Sequence, residues 1–404
     1  GLRQGDIPSA YTHWDQPEEY PYYIRMPRAD AIYIKKNIDG VEQNVALHFK
    51  VNKCLYGSPG AGYTHYKNMR MWLEEKGFVT GEQDEATWTH GVAWQTTRDA
   101  YEKKVAEKGQ PALFARRGEL RMVIWVDDIL YHCRDEAKRE QVEGEFNKEF
   151  GSCGWHDADF FAGLNVEITC AKDTQDEGKW GVKITGTTLL ELIHEKHNNQ
   201  GLIRPKQRHT PAPDGWTANK LDMDKKEGKH TEEFVRATGA LGYVAQNVRL
   251  DCAFVMGQHA RIQKRASKEQ HATLIERTLE YMYQTRKRGI MYKPGNYTIK
   301  VGHAEKTSVP ATEMVAFTDS SHSDVQGRSG QIICPCSECY KKHKIDWGEN
   351  DSLCTTIAHV FMYAGAPISW RSATSGRHHS STASELDASC EGTKRHTVMK
   401  KMLK

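Results

Sequence analysis

Asp127 and Asp128 stand between two apolar, β-rich runs, Met122–Val126 and Ile129–Cys133. Two such runs separated by two residues read as a β-hairpin with the aspartates as its turn. Side chains alternate between the faces of a strand, so a pair of acids at a hairpin tip sends at least one carboxylate out of the sheet, within reach of a hydrated cation. Asp is also an ordinary turn residue that hydrogen-bonds its own backbone, and an isolated Asp-Asp has that plain explanation. A second acidic set lies further on, where Asp319 closes the run Phe317-Thr318-Asp319 and Asp324 follows. Beyond it, Cys334-Pro335-Cys336-Ser337-Glu338-Cys339 precedes His343, Cys354 and His359. Cys336-x-x-Cys339 has the spacing of half a zinc knuckle, and Cys354 with His359 would complete a tetrahedral Zn²⁺ site; the alternative is a thiol-rich loop that binds nothing.

Such side chains need elements to hold them. Tyr63 to Lys76 has a helical pattern that Gly77 closes as a C-cap would, and residues 231–288 are mostly helical in pattern. Strand texture returns at Met314–Thr318, Ile332–Ile333, Val360–Tyr363 and Ile368–Trp370, followed by a helix from about Thr382. Breaks fall at Gly57-Ser58-Pro59-Gly60, at His209–Trp216 and at Lys293-Pro294-Gly295-Asn296, with a charged stretch from Asp222 to Glu233. The order is α+β, then helical, then α+β, and Trp370 and the other aromatics read as core residues rather than base-stacking platforms. At roughly 150 residues per domain, a chain of 404 residues holds two to three domains.

Composition narrows the function classes. With 38% hydrophobic and 27% charged residues the chain is outside the low-hydrophobicity, high-charge range of disordered proteins. No run approaches the roughly 18 apolar residues of a membrane span, and the first residues do not form a signal peptide, which sets membrane and secretory readings aside. Ten Cys without a secretory signal read as reduced intracellular thiols. The net charge is only +3, yet Gln258–Lys293 carries nine Lys and Arg against three Glu. Such a stretch suits phosphate contacts, and a solvated helix face has the same composition. Position 1 is not Met, so the chain reads as processed or excerpted from something longer.

Trp125-Val126-Asp127-Asp128 between hydrophobic strands resembles the catalytic hairpin of reverse transcriptases, with Trp125 in the place of the usual Tyr. Asp6 followed five residues later by Tyr11 resembles the upstream Asp and aromatic of these enzymes. Further along, Tyr23-Ile-Arg-Met-Pro27, Lys53-Cys-Leu-Tyr-Gly57, Trp72, Gly77-Phe78, Asp84, Phe160-Phe-Ala-Gly-Leu164, Thr210-Pro211, Arg236 to Leu241-Gly-Tyr243, and Arg249-x-Asp251 are similar to segments of copia-type LTR retrotransposon polyproteins. Phe317-Thr-Asp319 with Asp324, Arg328-Ser329, Gly365–Ser372 and Ser380–Ala388 resemble the opening of the linked ribonuclease H domain.

The resemblance implies an α+β fold in three parts. A polymerase palm with partial fingers spans 1–205, a mostly helical and basic thumb or connection spans 206–305, and 306–404 is the first part of a ribonuclease H-like α/β domain with a Cys/His-rich insertion at about 334–359. It implies an RNA-directed DNA polymerase in which Asp6, Asp127 and Asp128 hold two Mg²⁺ ions, since two close cations demand several hard oxygen ligands. Tyr11 would pack under the incoming sugar and exclude ribose, with Tyr56 and Gly57 beside the substrate. Asp319 and Glu385 would be the first two nuclease acids on an incomplete Mg²⁺ site, although Thr382-x-x-Glu385 also reads as a helix capping box. Partners would be an RNA template, a DNA primer, the RNA–DNA hybrid, dNTPs and the remainder of the Pol polyprotein, in a cytoplasmic particle or the nucleus.

Departures from the family pattern define the alternative. The place of a Gln that positions template and nucleotide falls on Gly60, the upstream fingers are absent, and only two of four nuclease carboxylates are present, so no ribonuclease activity is expected of this chain. The alternative is a decayed or co-opted remnant that at most binds nucleic acid. Three clustered carboxylates repel one another without a cation, which weighs against a purely structural site.

Overall fold

The alternation in Leu120-Arg-Met-Val-Ile-Trp125 buries Leu120, Met122 and Ile124 and exposes Arg121 and Trp125, the pattern of a strand with one face on a core. A computed structural model places this strand inside a six-stranded sheet. The structure describes residues 1–19, 21–27, 30–58, 60–80, 87–90, 120–133, 135–168, 181–201, 206–213, 216, 230–263, 266–293, 295–299, 307–326, 353–374 and 381–402. It is a mixed α and β protein with antiparallel sheets, and it divides into two compact units, Gly1–Ala162 and Gly163–Lys404.

The first unit contains β1 (Leu2–Asp6), β2 (Tyr22–Arg25), β3 (Tyr33–Ile38), β4 (Val41–Ala46), β5 (His48–Val51), α1 (Ala61–Glu75), β6 (Val79–Thr80), β7 (Thr87–His90), β8 (Leu120–Trp125), β9 (Asp128–Cys133), α2 (Glu136–Phe150), β10 (His156–Asp157) and β11 (Phe160–Phe161). Its main sheet runs β10-β1-β9-β8-β7-β6, antiparallel throughout. Two ribbons, β2-β5 and β3-β4, stand apart from it.

Helix α1 starts two residues before the predicted Tyr63, because Gly60 takes the left-handed conformation (φ 78°) that turns the chain into the helix. Its buried residues Ala61, His65, Met69, Trp72 and Leu73 recur every three to four positions and form one face. The end is a Schellman motif at Gly77 (φ 84°): Phe78 N–H donates to the Leu73 carbonyl at 2.9 Å and Gly77 N–H to Glu74 at 3.0 Å. Helix α2 starts where the Asp135 carboxylate accepts the Lys138 N–H at 3.0 Å. Trp72, Phe78, Phe146, Phe150 and Trp155 then pack ring on ring beneath the sheet, with centroids 4.8–6.4 Å apart. Burial of each such side chain stabilises the unit by roughly 1.5–3 kcal/mol.

The second unit comprises β12 (Leu164–Ile168), β13 (Val182–Thr185), α3 (Thr187–Asn199), α4 (His230–Asn247), α5 (Ala253–Arg261), α6 (Lys268–Ala272), a π-helical stretch Thr273–Leu279, α7 (Glu280–Gln284), β14 (Gly289–Tyr292), β15 (Tyr297–Ile299), β16 (Thr307–Val309), β17 (Val315–Gln326), β18 (Leu353–Tyr363), β19 (Ala366–Thr374) and α8 (Ser381–Met402). The helical texture of 231–288 and the C-terminal return to strands are present among the described residues, while the expected strand at Ile332–Ile333 lies outside them. Phe234, Leu241, Val244, Leu274, Leu279 and Met282 form the helical core, and Trp370 packs against it while donating its indole N–H to Ala245 at 2.9 Å. Arg249, only 1% exposed, is held by both oxygens of Asp251 at 2.8 Å and by the carbonyls of Met282 and Thr285. Among the described residues no helix is long and apolar enough to cross a membrane.

Candidate functional site

Strands β8 and β9 are joined by a two-residue turn made of Val126 and Asp127, one residue earlier than the sequence suggests. Asp128 is the first residue of β9 and pairs with Trp125, so cross-strand pairing claims it for the ladder. On the other side of β9, Asp128 is the direct partner of Asp6, the last residue of β1. Trp125, Asp128 and Asp6 therefore form one row across three neighbouring strands. Directly opposed residues share a face with Cβ atoms about 4.5–5.5 Å apart, so the two carboxylates lie side by side and the indole, 63% exposed, lies beside them.

The turn is clamped. Ile7 N–H donates to the Asp127 carbonyl and Asp6 N–H to the Cys153 carbonyl, both at 2.9 Å. Val126 has φ 59°, a left-handed conformation that a β-branched residue adopts only under constraint. Burial, then the charges of Asp127 and Asp128, push the Asp6 carboxyl above its ordinary range. Burial also pushes Asp128 up with help from Asp127, against the opposing effect of the Ala162 N–H, which donates to its Oδ2 at 3.2 Å. Desolvation and like charge both disfavour the ionised form, which is the situation a bound cation relieves.

The donors are hard carboxylate oxygens, the type a divalent ion takes, two on adjacent strands and one on the turn between β8 and β9. Among the described residues no three His, Cys, Asp or Glu side chains already stand in a ligating arrangement, so an ion would have to draw these carboxylates together.

Tyr11 lies on a short 3₁₀ turn (Ala10–His13), with its ring 4.5 Å from that of Tyr56 and 5.3 Å from that of His65. The Tyr56 hydroxyl is pushed up by burial and then by the Asp127 charge, which puts it within the field of the carboxylate group. Gly57 (φ 85°) turns the chain beside it, and a side chain there would meet nothing within 4 Å. Sequence reasoning missed His65. It interrupts an otherwise apolar helical stripe, and a buried polar residue in such a stripe is the signal that it has partners. Its Nδ1 faces the Trp14 indole N–H at 2.9 Å and its Nε2 the Val126 carbonyl at 2.9 Å.

The other nominated residues are placed differently. Asp319 and Ser320 both border a cavity of about 310 Å³ that Leu250, Phe254, Arg371 and Ser372 also line. The Ser320 hydroxyl meets Ser384 of α8 at 2.9 Å. Glu385, next to Ser384, is exposed on that helix. His359 is buried, and its imidazole is held below the ordinary range by burial and then by Arg395 and Arg371. Cys354 stands opposite Val325 in the β17–β18 ladder, and Cys336 and Cys339 lie outside the described residues.

The basic stretch is partly engaged within its own unit. Arg277 donates to Thr210 at 2.8 Å, Arg286 to Glu191 at 2.7 Å, and Arg288 to the Tyr281 hydroxyl at 3.0 Å. No protein-family model matches this chain, and no curated protein matches it.

Proposed function

We propose that the protein is an RNA-directed DNA polymerase of the copia retrotransposon type and that the hairpin carboxylates are its nucleotidyl-transfer site. The observation that carries this reading is the register that sets Asp6 opposite Asp128, with Asp127 on the adjoining turn. On this reading the β10-β1-β9-β8-β7-β6 sheet with α1 and α2 belongs to the polymerase palm and the β2-β5 and β3-β4 ribbons to the fingers portion; the expected palm range of 1–205 runs past Ala162 into the second unit, which also holds the connection and a ribonuclease H-like part.

Asp6 and Asp127 would hold two Mg²⁺ ions, with Asp128 as further ligand and electrostatic support. When bound, the ions lower the pKa of the primer 3′-OH and neutralise the triphosphate. The chain's own groups do the positioning. Tyr11, braced by Tyr56 and His65, presents a flat face under the sugar of an incoming dNTP. The exposed Trp125 indole, on the carboxylate face, offers a stacking surface to the primer end. Template, primer and their hybrid would be bound through backbone and duplex shape, independently of sequence. On the same reading Asp319 and Glu385 would be the two acids of the incomplete ribonuclease H-like site.

Primer extension on an RNA template with dNTPs and Mg²⁺ tests the proposal. Mg²⁺-dependent incorporation that Asp127→Asn reduces by roughly a thousandfold or more supports it, a loss of the size expected when a group central to the transition state is removed. Absence of incorporation, or incorporation that survives Asp127→Asn, overturns it.

A further inference from the structure

Three features of His65 go beyond helix packing. The ring is 4% exposed, yet both its nitrogens are engaged, and both partners lie far away in sequence, at Trp14 and Val126. An indole nitrogen can only donate, so Nδ1 of His65 accepts and carries no proton. The proton of the neutral ring is then on Nε2, which donates to the Val126 carbonyl. Trp14 thus selects the tautomer that His65 presents to the hairpin. Burial reinforces this by holding the imidazole below its ordinary range, with the Val126 and Ala10 carbonyls and the Asp127 charge opposing and His13 adding to the effect.

The carbonyl that His65 holds belongs to the peptide linking Val126 to Asp127. A positive φ at the first residue of a two-residue turn, and not at the second, is the type II′ arrangement, which favours Gly at that place. With Val there, the turn is strained by about 1–3 kcal/mol. A flip of that peptide would leave φ of Val126 positive but would change φ of Asp127 and so rotate the base of its side chain. The Ile7 N–H holds only the following carbonyl, that of Asp127, and leaves the Val126–Asp127 peptide plane to the imidazole. The same ring stands edge-on to Tyr11 at 86°.

On the nucleotidyl-transfer reading above, on which this rests, we infer that His65 is a positioning residue of the metal site: in the neutral Nε2–H form selected by Trp14, it clamps the Val126 carbonyl and thereby aims Asp127 toward Asp6 and Asp128. It touches neither ion nor substrate. Its role resembles that of groups that orient metal ligands from outside, whose loss weakens metal affinity by about 10- to 100-fold.

The test uses the full chain, with Mn²⁺ alone as the paramagnetic probe, in the parent, Asp127→Asn, His65→Met and His65→Gln. Gln places an N–H near the Nε2 position, whereas Met fills the volume without a donor. Mn²⁺ binding that is lost in Asp127→Asn, weakened at least about tenfold in His65→Met and restored to within about threefold in His65→Gln supports the clamp. Equal Mn²⁺ affinity in parent and His65→Met overturns it. Carboxyl ¹³C titration of Asp6 and Asp128 without metal separates the clamp from the polymerase reading. If the parent binds no Mn²⁺, that reading fails, and the clamp is judged by the titration alone. Downward movement of both groups in His65→Met shows that Asp127 has moved away, and unmoved titrations overturn the clamp. If His65→Met does not fold, Trp14→Phe gives the same titration readout, since it releases Nδ1 to take the proton and frees the Val126 carbonyl.

Discussion

Asp6 and Asp128 face each other across the β1–β9 ladder as the last and first residues of their strands. An opposed pair of acids is unfavourable in a sheet, where like charges at directly opposite positions destabilise. The cost falls on the ionised forms, and it has a sign that can be measured.

Both carboxyls lie above their ordinary range in the folded protein. Folding therefore favours their protonated forms. The stability this contributes is fully present below the unfolded value near pH 3.8 and is lost as pH rises through the raised folded values. At pH 7 without metal, Asp6→Asn should melt higher than the parent by roughly 1–2 °C, the modest size reflecting solvent screening of an exposed group. The difference should shrink steadily as pH falls toward 4. Calorimetry across that range checks it, and a variant that melts lower at pH 7 contradicts the repulsion.

Gly5, just before Asp6, lies against the face of Trp155, and a Cβ there would stand 2.4 Å from two ring atoms. The indole has little room to retreat. It donates to Asn147 at 3.1 Å and packs against Tyr131 and Phe146 at 5.6 and 5.7 Å. Gly5→Ala should cost about 1–3 kcal/mol in urea unfolding, as overpacking of a filled site does. Full stability would mean that the ring swings aside.

Tyr11 rests on Tyr56 and His65. On the polymerase reading Tyr11→Val opens the space where a 2′-hydroxyl would lie. Incorporation of ribonucleotides relative to deoxyribonucleotides should rise by at least roughly tenfold, the scale of discrimination by pocket shape. An unchanged ratio would remove Tyr11 from the sugar site.

In the second unit, Arg249→Met removes the guanidinium that, against the effect of burial, holds the Asp251 carboxylate below its usual range. Asp251 is 38% exposed and keeps the Tyr281 hydroxyl, so losing the pair should cost about 1–3 kcal/mol. Proteolytic sensitivity of the region around Tyr281, whose hydroxyl donates to Asp251 at 2.8 Å, should rise accordingly.

Much of the local architecture was legible in the sequence. The two apolar runs around Asp127-Asp128 give the hairpin, the stripe through Met69 and Trp72 gives α1, and Gly77 gives its end. The turn was misplaced by one residue because the boundary is set by pairing of Asp128 with Trp125, a contact that propensity does not encode. His65 was invisible as a hairpin support because its partner is 61 residues away. Asp319 and Glu385 were paired by resemblance, which carries no contact information; along β17 it is Ser320 whose hydroxyl meets Ser384 of α8.

On the polymerase reading Asp6, Asp127 and Asp128 make one cation centre. That claim is tested most directly by Mn²⁺ titration, followed by electron paramagnetic resonance, of the parent, Asp6→Asn, Asp127→Asn and the double variant. Ligands of one centre are not independent. Each single variant should therefore abolish most of the tight binding, and the double variant should add little to that loss. Tight Mn²⁺ binding retained in both single variants would contradict the claim.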